Sequence, residues 1–371
     1  MTVESLKLSD SKFIRYFKSF VLLQGKHTGF YGNFGHGDLG DDASFYVGRK
    51  LLGAKVLPFS KRCYTFNPRV LKALLVGGGG IFRWECPYLP GKLLTKEQWD
   101  FPVIIYSAGI NCDEGKEYSS ESRDKISRLC RMAKFIGARD LVTQRFLQDM
   151  GFLNVSLIPD LELLLEPKTR AFHYQKEKFT VGIVISPHSE FTKDQVARLV
   201  KSFASIINLV HRNGKKVLIL PFDDPLGDSK REANIIAQIL KSVKNKNDVT
   251  VLRDIVQPEE MLFAIKKFCD VMICMRLHSA IFAANAGIPF LCVSFNKMHT
   301  AFMELMGLQD YEIRFSANDL LGQVVHGLDK VLADYNALQL HIKTKAKELR
   351  EIIITNTEPV KKIINGDGVT A

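Results

Sequence analysis

Short runs of apolar and β-branched residues alternate with segments of helical period along almost the whole chain. In the first half the apolar runs fall at 56–59, 73–76, 103–107, 135–138 and 155–159. In the second half they fall at 181–186, 216–221, 249–252, 271–275 and 290–293. Between them lie helix-period segments, over 122–132 and 141–150 first and over 193–213 and 230–242 later. Runs this short and this continuously apolar read as strands buried on both faces, and their alternation with helices predicts parallel sheets of an α/β protein. From Leu328 onward Val331, Leu332, Tyr335, Leu338, Ile342, Leu349 and Ile353 trace one long amphipathic helix, expected to pack back across the rest of the chain.

The alternation breaks at 166–178, a polar and basic stretch interrupted by Pro167. A chain of 371 residues exceeds what one compact core ordinarily serves. The break therefore predicts two Rossmann-like domains, residues 1–168 and 169–371, facing each other across a cleft. The formal net charge of +11 favours anionic partners. The Lys and Arg residues are scattered and not interleaved with aromatics, which argues against nucleic acid. Seven cysteines, at 63, 86, 112, 130, 269, 274 and 292, form no CxxC pair and mostly sit in apolar runs, the usage of a reducing compartment. Residues 1–18 are polar, without the apolar core of a signal peptide, and no run of about 18 apolar residues occurs. The expectation is a cytoplasmic protein.

Candidate chemistry clusters at the ends of predicted strands, where ligands of open α/β sheets bind. Met275-Arg276-Leu277-His278-Ser279 follows the apolar run at 271–274 and precedes a small-residue segment at 280–287. A fixed cation beside a titratable imidazole suits an anionic substrate that needs proton transfer. If the segment stays extended, Arg276 and His278 share one face and Leu277 takes the other. A buried structural pair tying the last strands together is the alternative. Gly77 to Gly80 close the run at 73–76, and read either as backbone N–H groups facing a ligand or as close packing against a neighbouring strand. Arg83, Trp84 and Glu85 follow, an aromatic flanked by charges that suits a sugar. Arg139, in Ile136-Gly137-Ala138-Arg139-Asp140, reads either as a planar anion clamp or as the partner of Asp140 or Asp160.

A glycine-rich stretch from Tyr31 to Ala43 ends in Asp41 and Asp42, either of which could cap the helix that follows. It fits neither GxGxxG nor GxxxxGK[ST]. His36 within it, His188 and Lys297 are weaker candidates, and no His/Cys/Asp/Glu group has metal-ligand spacing.

Taken together, these segments resemble the polysaccharide pyruvyl transferase family. That family's pattern runs as an N-x-G-D-[DE]-A loop, a glycine cluster after a strand, an R-D pair, and R-L-H followed by small residues. Here the corresponding segments are Asp38-Leu39-Gly40-Asp41-Asp42-Ala43, Gly77 to Gly80, Arg139-Asp140 and Arg276-Leu277-His278, with a trailing Phe295-Asn296-Lys297. They come in family order over roughly residues 30 to 310. Asp38 departs from the pattern: ionised, it only accepts hydrogen bonds, whereas Asn also donates.

The resemblance implies a fold like that of GT-B glycosyltransferases. It implies transfer of an enolpyruvyl-derived unit from phosphoenolpyruvate to a sugar, closing a cyclic pyruvate ketal over two hydroxyls with loss of phosphate. His278 would then transfer the proton, and Arg276, Arg139 and Lys297 would bind the donor, the C-terminal domain being the donor side. Gly40, Asp41, Asp42, Gly78, Gly79, Arg83 and Trp84 would form the loops and acceptor side on the N-terminal domain. Phosphoenolpyruvate would be a co-substrate, with no cofactor or metal. The acceptor would be a glycan or its lipid-linked precursor, the latter bringing peripheral contact with the inner face of a membrane. Two alternatives stay open. One is a GT-B glycosyltransferase using a nucleotide sugar, with Asp254, Glu259 or Glu260 at the ribose. The other is a non-catalytic glycan- or anion-binding protein.

Overall fold

The computed structural model describes residues 26–35, 37–53, 56–60, 68–90, 92–113, 115–187, 191–222, 231–253, 255–316 and 319–367. The strands form two parallel six-stranded sheets. The first comprises β1 (His27–Tyr31), β2 (Val56–Phe59), β3 (Leu71–Arg83), β4 (Val103–Asn111), β5 (Ala133–Ala138) and β6 (Ser156–Leu157), in the order β2-β1-β3-β4-β5-β6. The second comprises β7 (Thr180–Val184), β8 (Lys216–Ile219), β9 (Val249–Val251), β10 (Val271–Cys274), β11 (Phe290–Ser294) and β12 (Glu312–Arg314), in the order β12-β11-β10-β7-β8-β9. Each sheet grows outward in both directions from an early strand, so both carry a switch point where loops leave the carboxyl ends on opposite sides.

Every predicted apolar run contains a strand. Two strands lack such a run for local reasons. The strand β1 reads His-Thr-Gly-Phe-Tyr, with Gly29 at its centre where a Cβ would press on Phe59 and Leu71. The three-residue β12 carries two charged side chains at the sheet edge.

The crossover helices are α1 (Leu39–Leu52), α2 (Ser120–Met132), α3 (Leu141–Asp149), α4 (Lys193–Arg212), α5 (Arg231–Ser242), α6 (Pro258–Phe268), α7 (Leu277–Ala286) and α8 (Lys297–Met306). The expected C-terminal helix is two helices, α9 (Leu320–Ala333) and α10 (Tyr335–Asn365), divided at Asp334. Helix α10 reaches back to the first sheet, where Tyr106 and Thr357 share a hydroxyl hydrogen bond of 2.8 Å and Asn356 Nδ2 donates to Leu157 O at 2.7 Å. Among the described residues no helix is long and apolar enough to cross a membrane.

The two faces of the first sheet carry different cores, as the two-residue period of a strand requires. Leu74, Val76, Val103 and Ile105 pack with Ile126 and Leu129 of α2 on one face. Ala73, Leu75, Ile104 and Tyr106 join a core on the other face that continues through α10 and α7 into the second sheet. The two sheets are thereby held as one apolar body behind a polar cleft.

Candidate active site

The carboxyl ends of β3, β4, β5, β10 and β11 converge on a cavity of about 190 Å³ between the sheets. Its wall includes Asn33, Asp38, Asp41, Gly79, Gly80 and Arg83 from the first half of the chain, and Ser186, Arg276, His278 and His299 from the second.

The helix α1 opens at this wall. Asp38, not Asp41 or Asp42, is its N-cap, accepting from Gly40 N at 2.9 Å and Asp41 N at 3.3 Å. Placing the cap three residues earlier puts the two following acids in the first turn, where the helix dipole favours them. Asp42 turns back to accept from Gly35 N at 2.7 Å, away from the cavity. Asp41 faces the cavity and accepts from Asn33 Nδ2 at 2.6 Å. Gly40 lies against the imidazole of His278, so closely that a Cβ there would overlap the ring.

Gly77 to Gly80 lie inside the 13-residue strand β3 rather than after it. A side chain on Gly77 would run into the Tyr106 carbonyl, and Gly78, at φ +65°, sits against Phe30 and Phe34. Close packing therefore accounts for the first two glycines, while Gly79 and Gly80 line the cavity.

Arg276 ends the turn after β10 as the N-cap of α7, so Leu277 and His278 are helical rather than extended. The alternation expected of a strand does not hold, yet both polar side chains still meet, on Asp38. Arg276 Nη2 donates to Asp38 Oδ2 at 2.5 Å, and His278 Nδ1 lies 3.2 Å from Asp38 Oδ1. The other ring nitrogen, Nε2, faces Glu162 Oε1 at 3.8 Å and Asp41 Oδ1 at 4.0 Å.

Three carboxylates around one imidazole fix its charge. Burial alone would favour the neutral ring, but Asp38, Asp41 and Glu162 outweigh it and push the His278 pKa up to about 9. Burial would also raise Asp38, yet Arg276 and His278 hold it well below the usual carboxylate range. Asp41 goes the other way: burial, then the Asp38 charge, push it up to about 7. The surroundings thus favour an imidazolium beside an ionised Asp38, and hold Asp41 toward its protonated form.

Arg139 is buried at the back of the cavity, with Nε 3.4 Å from Asp160 and 3.7 Å from Asp140. Asp140 also caps α3 through Thr143 N at 2.6 Å. Of the two readings of Arg139, the partner of Asp140 and Asp160 describes these contacts. Its Nη2 has no hydrogen-bond partner among the described residues. Burial, only partly offset by Arg139, pushes Asp160 up to about 7. Arg83 is exposed at the rim with its guanidinium 5.6 Å from the Tyr88 ring centre. Trp84 does not line the cavity; the Lys116 ammonium lies 5.1 Å from its ring centre. Lys297 is also outside the lining, exposed at the start of α8 with Nζ 3.4 Å from Lys116 O. It follows a strand end, but the helix start turns its long side chain outward.

Glu162 and His299 are the residues sequence reasoning missed. Glu162 lies in a turn after β6, where Asp160-Leu161-Glu162 alternates acid and Leu at a strand's carboxyl end, a signal that was there to read. His299 has no motif around it. It is buried in α8, with Nδ1 2.8 Å from Asn296 Oδ1 and Nε2 3.2 Å from Met275 O, and burial lowers its pKa to about 4. Of the acids considered for a ribose, Glu260 is paired with Arg170 at 2.8 Å, and Asp254 lies outside the described residues, as do His36 and His188. No group of three or more His, Cys, Asp or Glu among the described residues could hold a metal ion.

The sequence pattern of polysaccharide pyruvyl transferases matches residues 27–296, well over half the chain, and spans every element that lines the cavity up to Asn296. The chain belongs to this family. It is a transferase, built on a two-domain GT-B-like fold. Sucrose-phosphate synthase from Thermosynechococcus elongatus superposes with a TM-score of 0.58 at 11% identity, over 92% of this chain and 100% of that one. S. aureus MnaA, in a co-structure with UDP, gives 0.57 at 11% identity over 86% and 91% of the two chains. UDP-GlcNAc 2-epimerase from Neisseria meningitidis, bound to UDP-GlcNAc, gives 0.50 at 10% identity over 89% and 100%. At these identities the likeness is one of fold. No curated protein sequence matches the chain.

Proposed function

We propose that the enzyme forms a pyruvate ketal on a sugar of a cell-surface polysaccharide or its lipid-linked precursor, with phosphoenolpyruvate as donor and no further cofactor. The observation that carries this reading is His278 in the cavity wall, with Nδ1 3.2 Å from Asp38 Oδ1 and Nε2 facing Asp41 and Glu162, three carboxylates that favour its protonated form. An enol ether gains reactivity by protonation at its methylene carbon. The Nε2–H bond breaks as that C–H bond forms, leaving an oxocarbenium-like centre at the neighbouring carbon. A sugar hydroxyl attacks that centre and gives up its proton to Asp41, whose pKa of about 7 suits a base at neutral pH. The carbon–oxygen bond to phosphate then breaks with its electron pair on the leaving phosphate, restoring the oxocarbenium-like centre. The second hydroxyl closes the ketal on it as its proton goes to the departing phosphate.

Binding of the anionic donor falls to Arg276 and to the Nη2 edge of Arg139, which has no hydrogen-bond partner among the described residues. Arg276 is shared with Asp38, so the donor competes with an internal carboxylate for it. Lys297 and Trp84 would need to swing inward to take part, and the geometry favours Tyr88, Asn111 and Arg83 on the acceptor side.

The test uses phosphoenolpyruvate and a panel of glycans offering paired hydroxyls, in deuterated water, on wild type and His278→Gln. The expected result is acceptor-dependent phosphate release and a ketal methyl carrying one solvent deuterium, reduced on the order of 10²- to 10⁴-fold in the variant. Stabilisation by UDP, GDP or CMP but not by phosphoenolpyruvate would sink the reading in favour of a nucleotide-sugar transferase.

A further inference from the structure

We propose that Glu162 is a positioning residue for proton delivery, its carboxylate holding the transferable proton on the Nε2 side of His278. The inference rests on the reading of His278 as the acid and adds a residue to it.

The Nδ1 nitrogen is committed to Asp38, so any proton delivered into the cavity leaves from Nε2. Two acids face that nitrogen, Glu162 Oε1 at 3.8 Å and Asp41 Oδ1 at 4.0 Å. They are not equivalent. Asp41 is hydrogen-bonded to Asn33 and lines the cavity, where substrate can reach it. Glu162 is only 1% exposed and does not line the cavity. Its Oε1 accepts from Ser44 Oγ at 2.5 Å, while Oε2 is buried without a hydrogen-bond partner among the described residues. A buried carboxylate half supplied with donors depends on nearby positive charge. Among the described residues, His278 and Arg139 are cations that act on it.

The scaffold fixes Glu162 relative to His278. Asn285, two turns along α7 from His278, donates from Nδ2 to Glu162 O at 2.7 Å and to Leu165 O at 3.0 Å. Arg350 of α10 closes the frame, donating to Leu163 O at 2.7 Å and to Asn285 Oδ1 at 2.8 Å. The turn carrying the acid and the helix carrying the imidazole therefore move together.

Among the described residues, the charged and titratable groups around His278 are Asp38 before α1, Asp41 in α1, Asp160 and Glu162 after β6, Arg276 at the start of α7 and His299 in α8, with Arg139 after β5 acting on Asp41, Asp160 and Glu162. Once Nε2 has given its proton to the methylene carbon, Glu162 favours return of a proton to that nitrogen. The attacking hydroxyl supplies it through Asp41. No net charge is left behind in the buried cluster.

Glu162→Gln tests this, because the amide keeps the volume and an oxygen for Ser44 but removes the charge. With isotope-labelled histidine, the NMR titration midpoint of His278 should fall by about one pH unit, and the alkaline limb of the kcat/KM profile should fall with it. Glu162→Asp, which keeps the charge but withdraws it by one methylene, should give a smaller fall and serves if the first variant does not fold. A midpoint unmoved in the variants that fold overturns the proposal, even if activity drops. The NMR reading needs no substrate. A shifted midpoint in an enzyme that does not use phosphoenolpyruvate would leave Glu162 in its place and reject only the donor.

Discussion

Gly40→Ala sets a local preference against the geometry of the site. In an ordinary helix interior this change gains about 0.8–1.0 kcal/mol from the better helix former. Here the new methyl would lie under 3.0 Å from the Cβ, Cγ and Nδ1 atoms of His278, closer than real Cβ contacts come. Ordinary contact begins at 3.4 Å. Rotating the ring about χ1 does not move the His278 Cβ, so relief requires the start of α1 or of α7 to shift. That shift separates Asp38 from His278, because each residue is anchored to one of those two helix starts. Overpacking of this kind costs about 1–3 kcal/mol, which more than offsets the propensity gain. A displacement near 1 Å at a reacting group costs on the order of 100-fold in rate. Urea unfolding should therefore show a net loss of about 0–2 kcal/mol, and kcat/KM should fall by about 100-fold with the fold retained. A variant that is both more stable and fully active would refute the placement of His278 against α1.

Two further outcomes follow from the buried charges. The folded pKa of His278, about 9, lies above its ordinary 6.5, so its contribution is complete below pH 6.5 and lost as pH rises through 9. Asp41 and Asp160, raised from 3.8 to about 7, act in the same sense, losing their contribution as pH rises through 7. Asp38, lowered, acts oppositely and only below pH 3.8. The urea midpoint should therefore fall steadily from about pH 5 to pH 9, and a flat or rising profile would contradict this cluster. Arg139→Met should cost about 3–5 kcal/mol by leaving Asp140 and Asp160 buried without their cation. Adding Asp160→Asn should recover part of that loss, and strict additivity in the double variant would show that the pair is not coupled.

Much of the architecture was legible because backbone pairing and burial leave period and composition marks in a local stretch. The apolar runs at 103–107 and 271–275 become β4 and β10 because a strand covered on both faces tolerates little else. The Arg276-Leu277-His278 segment stood out for the same reason, as polar chemistry at the end of such a run. The Gly77 to Gly80 run was visible but ambiguous, since a glycine needed for packing and one needed for a ligand look alike in a sequence. Two of these prove to be packed against Tyr106, Phe30 and Phe34, and two open on the cavity.

The sequence by itself determined the α/β class, the parallel sheets, the family and the first residues to examine at the cleft. Which charges meet there was a matter for the tertiary structure alone. Asp38 and Arg276 stand 238 residues apart, and Ser44 and Glu162 stand 118 apart. No local pattern encodes a distance between side chains that only chain crossing and packing bring together. The same holds for protonation. Asp38 and Asp41 are three residues apart on one helix start, yet one is driven well below the carboxylate range and the other up to about 7. What separates them is that Asp38 pairs with Arg276 while Asp41 has burial and the Asp38 charge against it, and that was decided when the second sheet docked against the first.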